Sequence, residues 1–266
     1  MLEKEDIRDK LEDTESGYVH SVPPDPRRLD PLDNSRIVEE GCLGITQEKK
    51  YYEFLDPNGS VFVKRNLTPS EYLVNLAGNL VLPIMCPERI KNEIATIKFI
   101  QSNTTIPTPN IRCSFEDNGR IYIITDIVPG VAMSQLEEHQ KPTVVKELEG
   151  YIEQMHALKS KKMGGVCGDV IFPYRFENLW PQYEGLKVRD ADTPEFVLCH
   201  NDLSQYNIIV DQETLKINAI LDWEYAGFFP PEFDSPFYRR LGHSGALEGE
   251  EDDVPKLWKV VEHWRV

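Results

Sequence analysis

The chain lacks several features that would each name a function outright. Its five cysteines (Cys42, Cys86, Cys113, Cys167 and Cys199) include no CxxC pair. Their odd number and wide spacing exclude a disulfide framework or a zinc ribbon and read as reduced, mostly buried thiols of an intracellular, cytoplasmic protein. There is no apolar run of about 18 residues, so no transmembrane helix is expected. The start, MLEKEDIRDKLED, has no apolar h-region and does not read as a signal peptide. Positive charge is scarce: 29 Lys and Arg stand against 45 Asp and Glu, a formal net charge of -16. Such a surface repels nucleic acid and anionic membrane, so neither is expected as a partner. No GxGxxG, no DFG, no A-P-E and no internal repeat occurs.

What is present supports a packed protein. With 40% apolar residues among 266, a sizeable core is available. Residues 1–34 are polar and carry Pro23, Pro24, Pro26 and Pro31, which reads as a loosely ordered arm. Tyr51–Leu55 and Val61–Val63 are strand signals on either side of Asp56-Pro57-Asn58-Gly59, a strong turn sequence, so a β-hairpin is expected with Lys64 at the end of its second strand. Residues 87–101 follow with Pro87 suited to a first helical turn and Ile90, Ile94 and Ile97 at helical spacing. Glu93 falls within that stripe, and an inward carboxylate needs a partner. Arg120–Val128 reads as a buried strand closed by Pro129-Gly130. Residues 143–160 read as an amphipathic helix on Val145, Leu148, Ile152 and Met155, and a short helix closes the chain. The order is a β-rich lobe over 35–128, then a mainly helical lobe over 129–266: an α+β fold of two lobes.

The densest chemistry is His200-Asn201-Asp202-Leu203-Ser204-Gln205-Tyr206-Asn207, followed fifteen residues later by Asp222. An apolar strand, Phe196–Cys199, delivers a loop with one carboxylate and one carboxamide, and a hairpin delivers a second carboxylate. Mg²⁺ takes hard oxygen ligands and keeps some waters. Asn207 and Asp222 could therefore bind Mg²⁺ bridging nucleotide phosphates, and Asp202 could take or orient the proton of an attacking hydroxyl. Alone, an Asp or Asn in a loop is usually a cap or a turn. The spacing of three such residues is what favours chemistry.

HxDxxxxN with a later Asp at a strand end is the kinase catalytic loop plus its metal-binding Asp. Here the metal segment reads Leu221-Asp222-Trp223-Glu224-Tyr225-Ala226-Gly227, which resembles the aminoglycoside phosphotransferase family and its D-W-E pattern. Cys199-His200-Asn201-Asp202-Leu203 fits too, with Asn201 where that family commonly has Gly. Ile106-Pro107-Thr108-Pro109 and Tyr122–Gly130 match the family's I-P-x-P and its hinge, and CHNDLSQYNIIVD with LDWEYAGFFPPEFD is similar to a large fungal branch. The resemblance implies a protein kinase-like fold and an ATP- or GTP-dependent phosphotransferase acting on a small-molecule hydroxyl with Mg²⁺. It implies Lys64 on the α/β-phosphates, Glu93 as its helix partner, and main-chain groups of Asp126 and Val128 at the adenine edge. It makes His200 structural and points to Glu224 and Asp234 as substrate-side carboxylates. For Glu224 a solvated turn carboxylate is the competing reading. Gly41 and Gly44 are the available nucleotide-loop glycines, His156 reads as a core or surface residue, and Trp180, Trp258 and Trp264 read as packing residues. The run Glu248–Asp253 reads as a solvated acidic loop. Two competing classes are a protein kinase, disfavoured by the missing DFG and A-P-E, and a catalytically silent nucleotide-binding or scaffold protein, disfavoured by intact Asp202, Asn207 and Asp222.

Overall fold

The computed structural model describes residue 39 and residues 41–266, apart from 57, 58 and 181. The expected arm over 1–34 lies outside the described residues, as do Pro57 and Asn58 of the first turn. The described chain divides into two compact units. One holds the residues up to Ile90 with Asn110–Ile127, and the other holds Lys91–Pro109 with Val128–Val266.

The first unit is a five-stranded antiparallel sheet of β1 (Cys42–Ile45), β2 (Lys49–Phe54), β3 (Val61–Asn66), β4 (Ile111–Asp117) and β5 (Arg120–Asp126), in the order β1-β2-β3-β5-β4. The β2–β3 hairpin forms as the turn chemistry requires. Gly59 N–H donates to the Asp56 carbonyl at 3.0 Å, and Tyr51 pairs with Lys64 in register. Asn118-Gly119, both at positive φ (49° and 78°), make the two-residue turn between β4 and β5, a geometry Asn-Gly accepts readily.

An 18-residue helix, α1 (Cys86–Asn103), covers the stretch expected over 87–101. Its residues from Lys91 onward group with the second unit, so the segment 91–109 departs from the sequence-based boundary. The cause is visible in Asn92, which is fully buried. Its Nδ2 donates to the carbonyls of Glu224 (3.0 Å) and Ala226 (2.7 Å), and its Oδ1 accepts from Cys167 N–H (3.2 Å). A Cβ on Gly165 would lie 2.5 Å from that Oδ1, so the glycine is what lets the amide approach.

The rest of the second unit holds two small sheets and two helices. β6 (Val131–Ala132), β10 (Ile208–Val210) and β11 (Ile217–Ile220) form one sheet, ordered β11-β10-β6. β7 (Lys159–Ser160), β8 (Gly164–Gly165), β9 (Phe196–Cys199) and β12 (Gly227–Phe229) form the other, ordered β7-β9-β12-β8. α2 (Lys141–Ala157) buries Val144, Leu148 and Met155, while Val145 and Ile152 flank that stripe, and α3 (Val254–Trp264) buries Val254, Leu257 and Val261. The core beneath β9 and β12 is aromatic: Phe176 stacks on Phe233 (5.6 Å) and Phe233 on Phe229 (4.9 Å), all wholly buried. Each such side chain contributes about 2–3 kcal/mol over leaving it in water. Trp180, Trp258 and Trp264 pack against this core as expected. Cys86 and Cys199 are buried, but Cys113 and Cys167 are exposed, so the expectation of mostly buried thiols fails for those two. Among the described residues no helix is long and apolar enough to cross a membrane.

Candidate active site

β9 ends at Cys199 and the backbone turns sharply. Asn201 takes a left-handed conformation, φ 70°, which a short polar side chain tolerates. Its side chain then works for the turn, donating from Nδ2 to the Tyr225 carbonyl at 2.8 Å. His200 is wholly buried, with its ring 4.5 Å from that of Trp223. Asp202 N–H donates to Nδ1 (3.2 Å), so Nε2 carries the proton and donates to the Leu221 carbonyl (2.8 Å). Burial holds its pKa below the usual imidazole value, although the Asp234 charge opposes this. The imidazole is thus a neutral pin between the loop at 200–204 and the segment at 221–225, the structural part expected for it.

Asn207 closes the short 3-10 turn Gln205–Asn207. Its Nδ2 donates to the Asp202 main-chain carbonyl at 2.8 Å, and its own carbonyl accepts from Leu221 N–H at 2.8 Å. The amide nitrogen is the end the protein holds, which leaves the carbonyl oxygen for a cation. Asp222 sits in a left-handed conformation (φ 55°, ψ 57°) ahead of the turn Trp223–Tyr225. Such a non-glycine residue is strained unless its surroundings fix it, and strain of this kind gathers at functional sites. Glu224 is 6% exposed, which removes the solvated-turn reading for it.

The Asp202 carboxyl has its pKa pushed up to about 7. Burial drives the shift, the charges of Asp222 and Glu224 add to it, and the side chains of Ser244 and Asn207 oppose it. The carboxylates of Asp202 and Asp222 and the carboxamide oxygen of Asn207 are hard oxygen donors of the kind Mg²⁺ takes. The residues present therefore suit the metal that the sequence pattern implies.

Asp234 is turned toward the loop. Its side chain is 3% exposed. Oδ1 accepts from the main-chain N–H groups of His200 and Asn201, each at 3.2 Å, and Oδ2 lies 3.2 Å from His156 Nε2. That is a brace for the loop's backbone, which differs from the substrate contact expected of it. Arg175 gave no signal in the sequence, being one arginine in an aromatic stretch. It braces the same loop, donating to the Asn201 carbonyl (3.2 Å) and the Phe233 carbonyl (2.8 Å) and pairing with Asp253 (3.2 Å). Asp253 belongs to the acidic run expected to be merely solvated, as does Glu250, which pairs with Arg240 (2.7 Å), so that run contributes to the second unit's framework.

In the first unit, Lys64 is 6% exposed on β3, paired in register with Tyr51 and Ile123. Glu93, on the part of α1 that groups with the second unit, is 5% exposed, as its place in the apolar stripe required. Asp126 N–H donates to the Asn110 carbonyl (2.9 Å), and its side chain pairs with Arg112. Val128 is partly buried at the start of the second unit. Sequence reasoning missed the strongest charge cluster here. Glu71 accepts from Arg65 through both oxygens (2.8 and 2.9 Å), from Lys50 (3.1 Å) and from Thr68 N–H and Oγ1 (3.0 and 2.8 Å), and Glu39 joins Arg65 and Lys50 at 3.1 and 3.2 Å. Burial alone would raise the Glu71 pKa, but the hydrogen bonds from Arg65 and Thr68 hold it well below the carboxylate range.

Comparison with known proteins points one way. A model of the phosphotransferase enzyme family matches residues 52–235. Among solved structures, the fold is similar to that of a thermostable mutant of aminoglycoside phosphotransferase APH(4)-Ia in its apo form, with 15% identity, 73% of this chain and 69% of that one covered, and a TM-score of 0.50. A ternary complex of such a mutant with AMP-PNP and hygromycin B gives 15% identity, 77% and 75% coverage and a TM-score of 0.49. An aminoglycoside-3'-phosphotransferase of type VIII gives 18%, 76%, 86% and 0.46. At such identities the likeness speaks for the fold alone, which is the α+β, protein kinase-like class. No curated protein matches the sequence.

Proposed function

The chain belongs to the phosphotransferase enzyme family, and on that premise we propose that it transfers the γ-phosphoryl group of ATP, or GTP, to a hydroxyl of a small molecule. The observation that carries the reading is the Asp202 carboxyl. It is braced through its backbone by Asn207 and His200, and its ionisation is opposed by Asp222 and Glu224. A carboxyl poised near neutrality is suited to accept a proton from an attacking alcohol. Asn207 through its carbonyl oxygen, and Asp222, are the residues that would hold Mg²⁺, which when bound supplies neutralising charge to the phosphates. Asp202 orients the acceptor and takes its proton. Arg175, Asp234 and His200 keep the loop in place, so that catalysis rests on positioning and electrostatics.

Lys64, Glu93 and main-chain groups of Asp126 and Val128 keep the nucleotide-binding roles that the resemblance gives them. Glu224 is proposed at the metal or acceptor end, whereas Asp234 is proposed as a brace. The cytoplasm, which supplies nucleotide and keeps thiols reduced, is the proposed compartment.

Calorimetric titration of ATP into the purified protein, with and without Mg²⁺, tests this. Binding that needs Mg²⁺ and is lost in Asp222→Ala supports the reading. A folded protein that binds neither ATP nor GTP would sink it and leave a silent kinase-like scaffold.

A further inference from the structure

Ser244 belongs to no motif. It stands in the turn-rich stretch between the 3-10 turn Phe237–Arg239 and α3. Its side chain is wholly buried, and its Oγ makes no hydrogen bond of acceptable geometry among the described atoms. A buried hydroxyl without a partner is costly, and such a group in a folded protein asks for a reason. Two polar groups lie close enough to feel it: the Asp202 carboxylate and the Tyr174 hydroxyl.

The position is held firmly. One guanidinium, that of Arg240, donates to the carbonyls on either side, His243 (3.0 Å) and Gly245 (2.6 Å), and is itself paired with Glu250 (2.7 Å). Gly245 N–H returns to the His243 carbonyl at 3.0 Å. Tyr174 is wedged edge-on against Tyr225 and His243, with ring centroids 5.8 and 6.4 Å away. The serine is therefore presented to Asp202 by a pinned loop.

We propose that Ser244 is a positioning residue for Asp202: with nucleotide in place its hydroxyl donates to one carboxylate oxygen and leaves the other to receive the proton of the attacking hydroxyl. The inference rests on the phosphotransfer reading and adds a residue to it. An ionised carboxylate only accepts, a serine has one O–H to give, and a tyrosine can donate in turn to the serine oxygen. Tyr174 to Ser244 to Asp202 is thus a chain in which every donor meets an acceptor. Catalytic hydrogen bonds are often long in an unloaded site and tighten in the reactive complex, which accounts for the unfinished bond. In the transfer, a bond forms between the acceptor oxygen and the γ-phosphorus, the bridging P–O bond to the β-phosphate breaks, ADP leaves, and the acceptor's proton goes to the free Asp202 oxygen.

The test is steady-state MgATP turnover of the full chain, with water as acceptor, in the parent, Ser244→Ala, Ser244→Thr and Asp202→Asn, alongside melting temperatures. We expect Ser244→Ala to lower kcat about tenfold with the KM for ATP changed less than about twofold, and Ser244→Thr to recover most of the loss. The melting temperature of the alanine variant should be no lower than the parent's, because a buried orphan has been removed. Arg240→Met, which unpins the loop, should lower kcat in the same way. Unchanged turnover in Ser244→Ala, a threonine variant as poor as the alanine one, or a loss of turnover that follows a lower melting temperature would overturn the role. Parent turnover no greater than that of Asp202→Asn would bring down the phosphotransfer reading itself, and the positioning role with it.

Discussion

Both units bury charge, and they do so in opposite ways. In the first, Arg65 and Lys50 close on Glu71 and Glu39, and each buried cation faces carboxylate oxygen at about van der Waals contact or nearer. In the second, Asp202 faces Asp222 and Glu224, and like charge works against like. A cluster that closes its own charge is framework. A cluster in which like charges face one another is what the proposed Mg²⁺ site would draw on.

The contrast can be broken or sharpened by substitution. The largest effect is expected at Asp202→Asn, which should lower phosphoryl transfer by about 10²–10⁴-fold in a turnover assay while ATP binding by calorimetry persists. Glu71→Gln should come next. It removes the buried carboxylate that Arg65 and Lys50 share, leaves them the half-exposed Glu39, and should cost up to about 3–5 kcal/mol in urea denaturation. Asp222→Asn, which takes a like charge away from Asp202, should leave stability without Mg²⁺ unchanged or higher. Were both substitutions to destabilise alike, the distinction between the clusters would be wrong.

Acidity separates the two further. The folded-state pKa of Glu71 lies below its unfolded value, so the unfolded chain binds the extra proton as pH falls, and the stability Glu71 contributes above the usual glutamate range is lost toward acid. The folded-state pKa of Asp202 lies above its ordinary 3.8, at about 7, so the folded chain holds the extra proton between those values. Its contribution is greatest below the ordinary value and is lost as pH rises toward 7. Denaturation without Mg²⁺ across pH 5 to 8 should therefore show a downward slope from Asp202 that flattens in Asp202→Asn. The smallest effect is expected at Arg112→Ala. Its pair with Asp126 is exposed on both sides (41% and 37%), and its loss should cost about 0–1 kcal/mol.

Local signals carried much of this structure. The β2–β3 hairpin, α1, β5, α2 and β9 follow from turn residues and apolar spacing, because those features act within a few residues. The loop at 200–207 and Asp222 were legible for the same reason: their spacing is short enough to be read along the chain. Glu93 was found as an inward carboxylate by periodicity alone. What escaped was assembled across distance. Arg175 reaches the loop at Asn201 from far upstream and Asp234 reaches it from downstream, so neither side chain's partner could be deduced from its neighbours. Glu71 gave no signal in the sequence, because Arg65 and Lys50 converge on it from adjacent strands. Asn92, one polar residue on α1, moved the division between units because its amide meets three backbone groups of the second.

The imidazole of His200 has a consequence that concerns time. Its one ring proton is committed to the Leu221 carbonyl and its other nitrogen to the Asp202 amide, with no part of the ring in water. That proton can leave only when the two segments it joins come apart, so its lifetime against exchange with deuterium is a clock for the opening of the loop. Read as a resonance in the spectrum of the resting protein, it would time how often the loop opens, before any acceptor is known.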